Sequence, residues 1–178
     1  LESEQSKTRA RRGGSVLKLS DMVDMKHWFP KLQTISGVRI PKTIMLSAPT
    51  NLISMMDGKT PDGFDEFIAQ LQSAIGEVGL PAFLRTGHGS GKHYWKDTCY
   101  VTSTDSVAQH VYELVEWSLC IDLFGLPIDT WAVREFLPCD SPFTAFLGQM
   151  PITKERRVFI SGGHIVCHHP YWPEEAVE

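Results

Sequence analysis

Residues 83–101, FLRTGHGSGKHYWKDTCYV, hold the densest set of groups able to do chemistry in this chain. Gly87, Gly89 and Gly91 let backbone N–H groups come close to an anion, while Arg85 ahead of the loop and Lys92 and Lys96 behind its glycines supply positive charge. Gly89, Ser90, Gly91 and Lys92 are therefore candidate phosphate ligands, and the composition suits a polyphosphate. The stretch is not a P-loop. That motif, GxxxxGK[ST], requires glycine where Thr86 stands and Ser or Thr after Lys92, where the chain has His93. A flexible hairpin loop with solvated lysines fits the same residues equally well.

Two further stretches carry charge beside apolar residues. In WAVREFLP, residues 131–138, alternation puts Trp131, Val133 and Glu135 on one face and Ala132, Arg134 and Phe136 on the other. A charge held against apolar surface needs a partner, which here is either a structural Arg–Glu pair or the ribose and base of a nucleotide. Leu137-Pro138 then leaves backbone groups unpaired, as a purine edge requires. In KERRVFISGGHIVCHHPYW, residues 154–172, Glu155 and Arg157 share a strand face, so that one can orient the other toward a phosphate; solvated charges on an edge strand are the alternative. His164, Cys167, His168 and His169 lack zinc spacing, since adjacent histidines on a strand point to opposite faces. No spacing supports a Cys–His nucleophile built on Cys99 or Cys167.

The elements that must position these groups are readable from periodicity. A short helix from Ser20, with Ser20 as cap, is expected to end before Pro30, and Thr43–Leu46 reads as a strand entered through Pro41. Phe64, Phe67, Ile68, Leu71, Ile75 and Val78 recur at helical spacing, with Asp62 as the expected cap and Gly79 as the stop. A second helix is predicted over Asp105–Phe124, ended by Gly125 and Pro127. Strands are predicted at Ala82–Thr86, Thr98–Thr102, Thr130–Leu137, Arg156–Ile160 and His164–Cys167, the last two forming a hairpin around Gly162-Gly163. The order is mixed, with sequence-adjacent antiparallel strands: an α+β architecture.

Composition excludes several classes. The 178 residues are 42% hydrophobic and 21% charged, enough for one core, and the net charge of −4 disfavours a nucleic-acid partner. No apolar run reaches the length of a membrane span, and the four cysteines are irregularly spaced, so the expected setting is a reducing, cytoplasmic one. Residues 1–15 are basic and nearly devoid of apolar side chains, as expected of a flexible tail, and the absence of an initiator Met at Leu1 suggests a processed or excised piece.

In order, GVRIPKT (37–43), GLPAFLRT (79–86), GHGSGKHYWKDTCYV, VREFLP (133–138) and KERRVFISGGHIVCHHPYW resemble the ATP-grasp superfamily, in particular its small, often phage-encoded families with arginine as the first signature residue. The resemblance implies two small α+β lobes with antiparallel sheets clamping a nucleotide, residues 37–102 forming the first and 103–178 the second within a domain spanning 16–178. It implies ATP and Mg2+ as cofactors, Arg85 and Lys92 at the phosphates, Glu135, Phe136 and Leu137 at the adenine and ribose, and Arg157 as the catalytic group at the transferred phosphate. The activity implied is ATP-dependent ligation of a carboxylate to an amine through an acylphosphate. A non-catalytic module binding a nucleotide or a protein is the alternative. Such proteins hold magnesium with acidic and Asn residues on strands after the matched region, where this chain has only PEEAVE, so its metal-binding end is expected to be missing and no metal ligand is assigned. A nucleic-acid-joining enzyme would need a KxDG-like motif, of which Lys96-Asp97 is a faint echo.

Overall fold

Hydrophobic periodicity sets the main layers. The computed structural model describes residues 22–121 and 126–173. Helix α1 (Met25–Leu32) is followed by strand β1 (Thr43–Ser47), helix α2 (Phe64–Val78), strand β2 (Ala82–Thr86), strand β3 (Tyr100–Val101), helix α3 (Val107–Cys120) and strand β4 (Thr130–Glu135). Three 3-10 turns and two hairpins complete the order: turns at Leu52–Asp57, Lys92–Tyr94 and Thr104–Ser106, hairpin β5 (Phe143–Ala145) with β6 (Met150–Ile152), and hairpin β7 (Arg156–Ser161) with β8 (His164–Pro170). The fold is α+β with antiparallel sheets, as expected from the sequence.

The main sheet runs β1-β4-β2-β3, every pair antiparallel. Its central strand β4 comes from after residue 103 and its neighbours from before it, so both halves of the chain build one sheet. One face carries Leu84, Val101, Trp131 and Val133 into a core with Phe67, Leu71 and Ile75 of α2 and Val107, Val111, Leu114 and Val115 of α3. On the other face Ala132 packs against Met25 and Phe29 of α1. The remainder of that face, from Phe83 to Arg134, is not covered by a helix. Among the described residues no helix is long and apolar enough to cross a membrane.

Several boundaries differ from the sequence reading for identifiable reasons. The cap of α1 is Asp24, whose carboxylate accepts the Lys26 N–H at 2.9 Å, and Pro30 lies inside the helix with its ring at the exposed surface. The expected cap Ser20 lies outside the described residues, as do residues 1–15, Phe124, Gly125 and EEAVE (174–178). Asp62 does not cap α2; Gly63, at φ 77°, turns the chain in, and its own carbonyl accepts the Phe67 N–H. Helix α3 starts two residues later than predicted because Ser103 caps a 3-10 turn by accepting the Asp105 N–H. Strand β3 is shortened because Thr98 is drawn into the loop, its hydroxyl donating to the Gly91 and Tyr94 carbonyls. Strand β4 ends at Glu135, two residues early, as Phe136 leaves the ladder for an aromatic cluster. Hairpin β5–β6 went unread behind its prolines; Pro151 sits within its edge strand, paired with Thr144.

The Phe67 ring meets Trp131 edge-on with centroids 5.6 Å apart, joining α2 to the central strand. Phe67→Ala is expected to cost about 3 to 5 kcal/mol of unfolding free energy, read from the urea midpoint. A loss of only a few tenths would mean that α2 is not held to the sheet by this contact.

Candidate functional site

The uncovered face of the sheet meets hairpin β5–β6 across a cleft of about 640 Å³. Phe83 of β2 and Arg134 of β4 stand opposite each other on this face, and Phe136 and Leu137 continue it where the chain leaves the sheet. Met150 and Pro151 form the facing wall, and Lys92 with Glu155 closes one end. The volume suits a drug-sized or nucleotide-sized ligand. Its aromatic wall is continuous: Trp95 stands 5.6 Å from Phe83 and from Tyr100, and 6.2 Å from Phe136.

The glycine loop is internally bonded, not a flexible hairpin end. The Thr86 hydroxyl accepts the Gly89 N–H at 3.0 Å, and the Thr86 N–H donates to the Gly89 carbonyl at 2.8 Å. A side chain at Gly89 would run into the Trp117 ring of α3, 2.5 Å from an ideal Cβ, so glycine there serves close packing. Gly91, at φ 58°, turns the chain into the Lys92–Tyr94 turn. The N–H groups of Ser90, Gly91 and Lys92 meet no backbone acceptor among the described residues. Of Gly89, Ser90, Gly91 and Lys92, Lys92 is the one that lines the cleft.

Lys92 is the meeting point of two sequence stretches. Its ammonium lies 4.6 Å from the centre of the Tyr171 ring and 4.0 Å from the Glu155 carboxylate. The Arg157 guanidinium lies over the same Tyr171 ring at 4.4 Å. Lys92, Glu155, Arg157 and Tyr171 are thus brought together. Glu155 does not pair with Arg157: its carboxylate accepts the Thr153 hydroxyl at 3.0 Å and faces Lys92. Arg157 itself is exposed on the hairpin.

The predicted adenine-side residues divide. Phe136 and Leu137 line the cleft, whereas the Glu135 carboxylate accepts the Lys42 N–H at 3.0 Å and lies 3.4 Å from Arg39, tying strand β4 to the segment before β1. Arg85 shares the face of β2 that carries Phe83 but does not line the cleft, and its Nε–H donates to the Thr86 carbonyl at 3.0 Å. Burial, with the neighbouring Arg134 charge, pushes its pKa down to about 10, against the opposing pull of Asp24. Arg134 was noticed in the sequence only as half of an alternation; the signal that it faces the cleft was its shared face with Phe136. Behind the loop, Asp24 is buried and accepts the Thr130 hydroxyl at 3.0 Å, with Lys26 3.4 Å and His88 3.6 Å away.

On β8, His168 lies 3.1 Å from the Arg156 guanidinium and His169 stacks on Phe159. Comparison with protein-family profiles, curated proteins and solved structures finds no match.

The cysteines differ sharply in setting. All four are free thiols; Cys99 is buried, and burial pushes its thiol up to about 12, while Cys120, Cys139 and Cys167 are exposed. A thiol reagent at pH 8 is therefore expected to label three sites quickly and Cys99 only on unfolding. Rapid labelling of Cys99 in the native protein, located by peptide mass mapping, would contradict this burial.

Proposed function

We propose that the cleft binds ATP and that the chain carries the nucleotide-binding part of an ATP-grasp-type carboxylate–amine ligase working in a reducing, cytoplasm-like setting. The observation that carries this reading is the cleft itself: an aromatic and aliphatic wall of Phe83, Phe136, Leu137 and Met150 that ends at a cation, Lys92. A purine fits between the apolar walls, and the triphosphate extends toward Lys92. The order of the sequence motifs supports the same assignment. Phe136 and Leu137 would flank the base, Arg85 would act on the phosphates from its place on β2, and Arg157, on the hairpin beside Tyr171, would meet the transferred phosphate.

In this reaction a carboxylate oxygen attacks the γ-phosphorus, the bond to the β–γ bridging oxygen breaks, and ADP leaves. The amine then attacks the acylphosphate carbon, expels inorganic phosphate and loses its proton to solvent. The chain's contribution is position and charge: the walls fix the base, and Lys92 meets the negative charge spread over the phosphates. Magnesium accompanies the triphosphate in such chemistry. Among the described residues no group of three His, Cys, Asp or Glu side chains is placed to hold a cation, so no step is assigned to it.

A non-catalytic nucleotide-binding module is the second reading, favoured by the position of Arg157 on an exposed hairpin, stacked on Tyr171 instead of directed into the cleft. The two readings share binding and part at turnover. ATP is expected to raise the melting temperature, and Lys92→Ala to weaken ATP binding by about 1 to 3 kcal/mol, the scale of a charge-assisted hydrogen bond, with little change in unliganded stability. Calorimetry showing equal ATP affinity in parent and variant would remove Lys92 from the phosphate site. ADP release that depends on a carboxylate and an amine would select the ligase over the module.

A further inference from the structure

Arg134 is the one cleft side chain whose placement makes no sense for an empty cleft. It sits in the central strand, directly across from Phe83 and one residue before Glu135, so its guanidinium emerges between the apolar wall and the exit of the chain at Phe136 and Leu137. Its Nε–H is buried and has no hydrogen-bond partner. The guanidinium makes no ion pair among the described residues, although Glu135 is adjacent in sequence, because strand alternation sends that carboxylate to Lys42 and Arg39. The neighbouring charge on the same face is another cation: Arg85 is diagonal to Arg134 across the β2–β4 ladder, about 7–8 Å away by sheet geometry. Asp24, the carboxylate that acts on Arg85, is already engaged by Lys26 and Thr130.

A half-buried guanidinium whose Nε–H is buried and unpaired, next to a like charge, costs stability, and an apolar residue of similar length would pack against Phe83 and Phe136 without that cost. Burial indeed pulls the Arg134 pKa down. An anion delivered by a ligand supplies the missing acceptor, and a planar guanidinium suits a phosphate oxygen pair.

We infer that Arg134 is a ligand-binding residue that holds the phosphate nearest the base of a nucleotide in this cleft. The inference rests on the nucleotide reading above and deepens it. The position follows from the neighbours: Arg134 lies at the base-side wall, with Phe83, Phe136 and Leu137, whereas Lys92 closes the far end with Glu155. Arg134 therefore reads the α-phosphate, which AMP and ATP share, and Lys92 the phosphates that only ATP carries.

The test compares the parent with Arg134→Met, Arg134→Lys and Lys92→Ala, measuring melting temperature and calorimetric affinity for adenosine, AMP, ATP and inorganic tripolyphosphate. Arg134→Met is expected to melt at the parent's temperature or above it without ligand, to bind adenosine as the parent does, and to lose roughly tenfold or more in affinity for both AMP and ATP. Arg134→Lys should recover only part of that loss, and Lys92→Ala should spare AMP. Two results would overturn the inference: unchanged AMP affinity in Arg134→Met, or a lowered melting temperature with all four ligands weakened alike, which marks a purely structural arginine. If the parent binds tripolyphosphate through Arg134 but none of the adenine compounds, the nucleotide reading and its base-side assignment both fail. ATP bound tightly and independently of Arg134 overturns this inference alone.

Discussion

The cleft exists because Trp95 packs on two layers at once. Its ring joins Phe83, Tyr100 and Phe136 on the open face of the main sheet and also contacts the separate core of Met150, Ile152 and Trp172 around hairpin β5–β6. Such aromatic contacts are worth more than their area alone, and here they are the apolar bond between sheet and hairpin. Polar links follow the same seam: the Lys96 N–H donates to the Gln149 side chain, and His93 stacks on Phe146 with ring centroids 4.1 Å apart. Phe146 and Leu147 both hold positive φ, at 52° and 58°, a conformation that costs a side-chain-bearing residue energy and persists only where surrounding contacts fix it. The stack on His93 is such a contact. The gap left beside Trp95 is then a consequence of hairpin packing, with its walls set before any ligand enters.

The charges on the open face follow from which side of each strand they occupy. Alternation gives β4 one face for Trp131 and Val133, which belong to the helix-covered core, and the other for Ala132 and Arg134. Ala132 is small enough for α1 to cover. Arg134 is not, so the same strand is protein core at one end and cleft wall at the other. Arg85 repeats the pattern on β2, where buried Leu84 and Thr86 flank a side chain directed to the opposite face. Two guanidiniums on one sheet face, neither of them in an ion pair among the described residues, add positive charge to that face, and near the low-dielectric cleft it acts on an anion more strongly than it would in water.

How much of this was legible follows from which forces act locally. Helix α2 was read residue for residue over Phe64–Val78 because its apolar stripe and Gly79 lie within one stretch of chain. The strands of the main sheet were readable for the same reason. Their pairing was not, since the insertion of β4 between β1 and β2 is decided by contacts between residues that lie far apart in sequence. In the site, Lys92 was legible from its place after the glycines and Phe136 from alternation, whereas Leu137 followed from the family resemblance. Two pairings were not: Glu155 meets Lys92 instead of Arg157, and Glu135 turns to Lys42, both set by how separate elements are stacked. The glycines were read as phosphate ligands for their lack of a side chain, but Gly89 needs that lack to approach Trp117, a neighbour invisible in sequence.

That last contact links the helix-covered core to the cleft on the sheet's other side. Trp117 projects from α3 and fixes the loop at Gly89; Thr86 and Thr98 then clasp the loop from both ends through Gly89, Gly91 and Tyr94, and Lys92 follows directly from Gly91. Each step is a hydrogen bond or a packed contact already made in the unliganded fold, so little backbone entropy remains to be lost when an anion arrives at Lys92. A long surface lysine ordinarily loses much of its binding free energy to ordering. Here its main-chain anchor is set by the fold, and its ammonium is held between the Tyr171 ring and the Glu155 carboxylate. The contact with Glu155 is at the outer limit of an ion pair, close enough to hold Lys92 in place and weak enough that a more strongly charged anion would displace it.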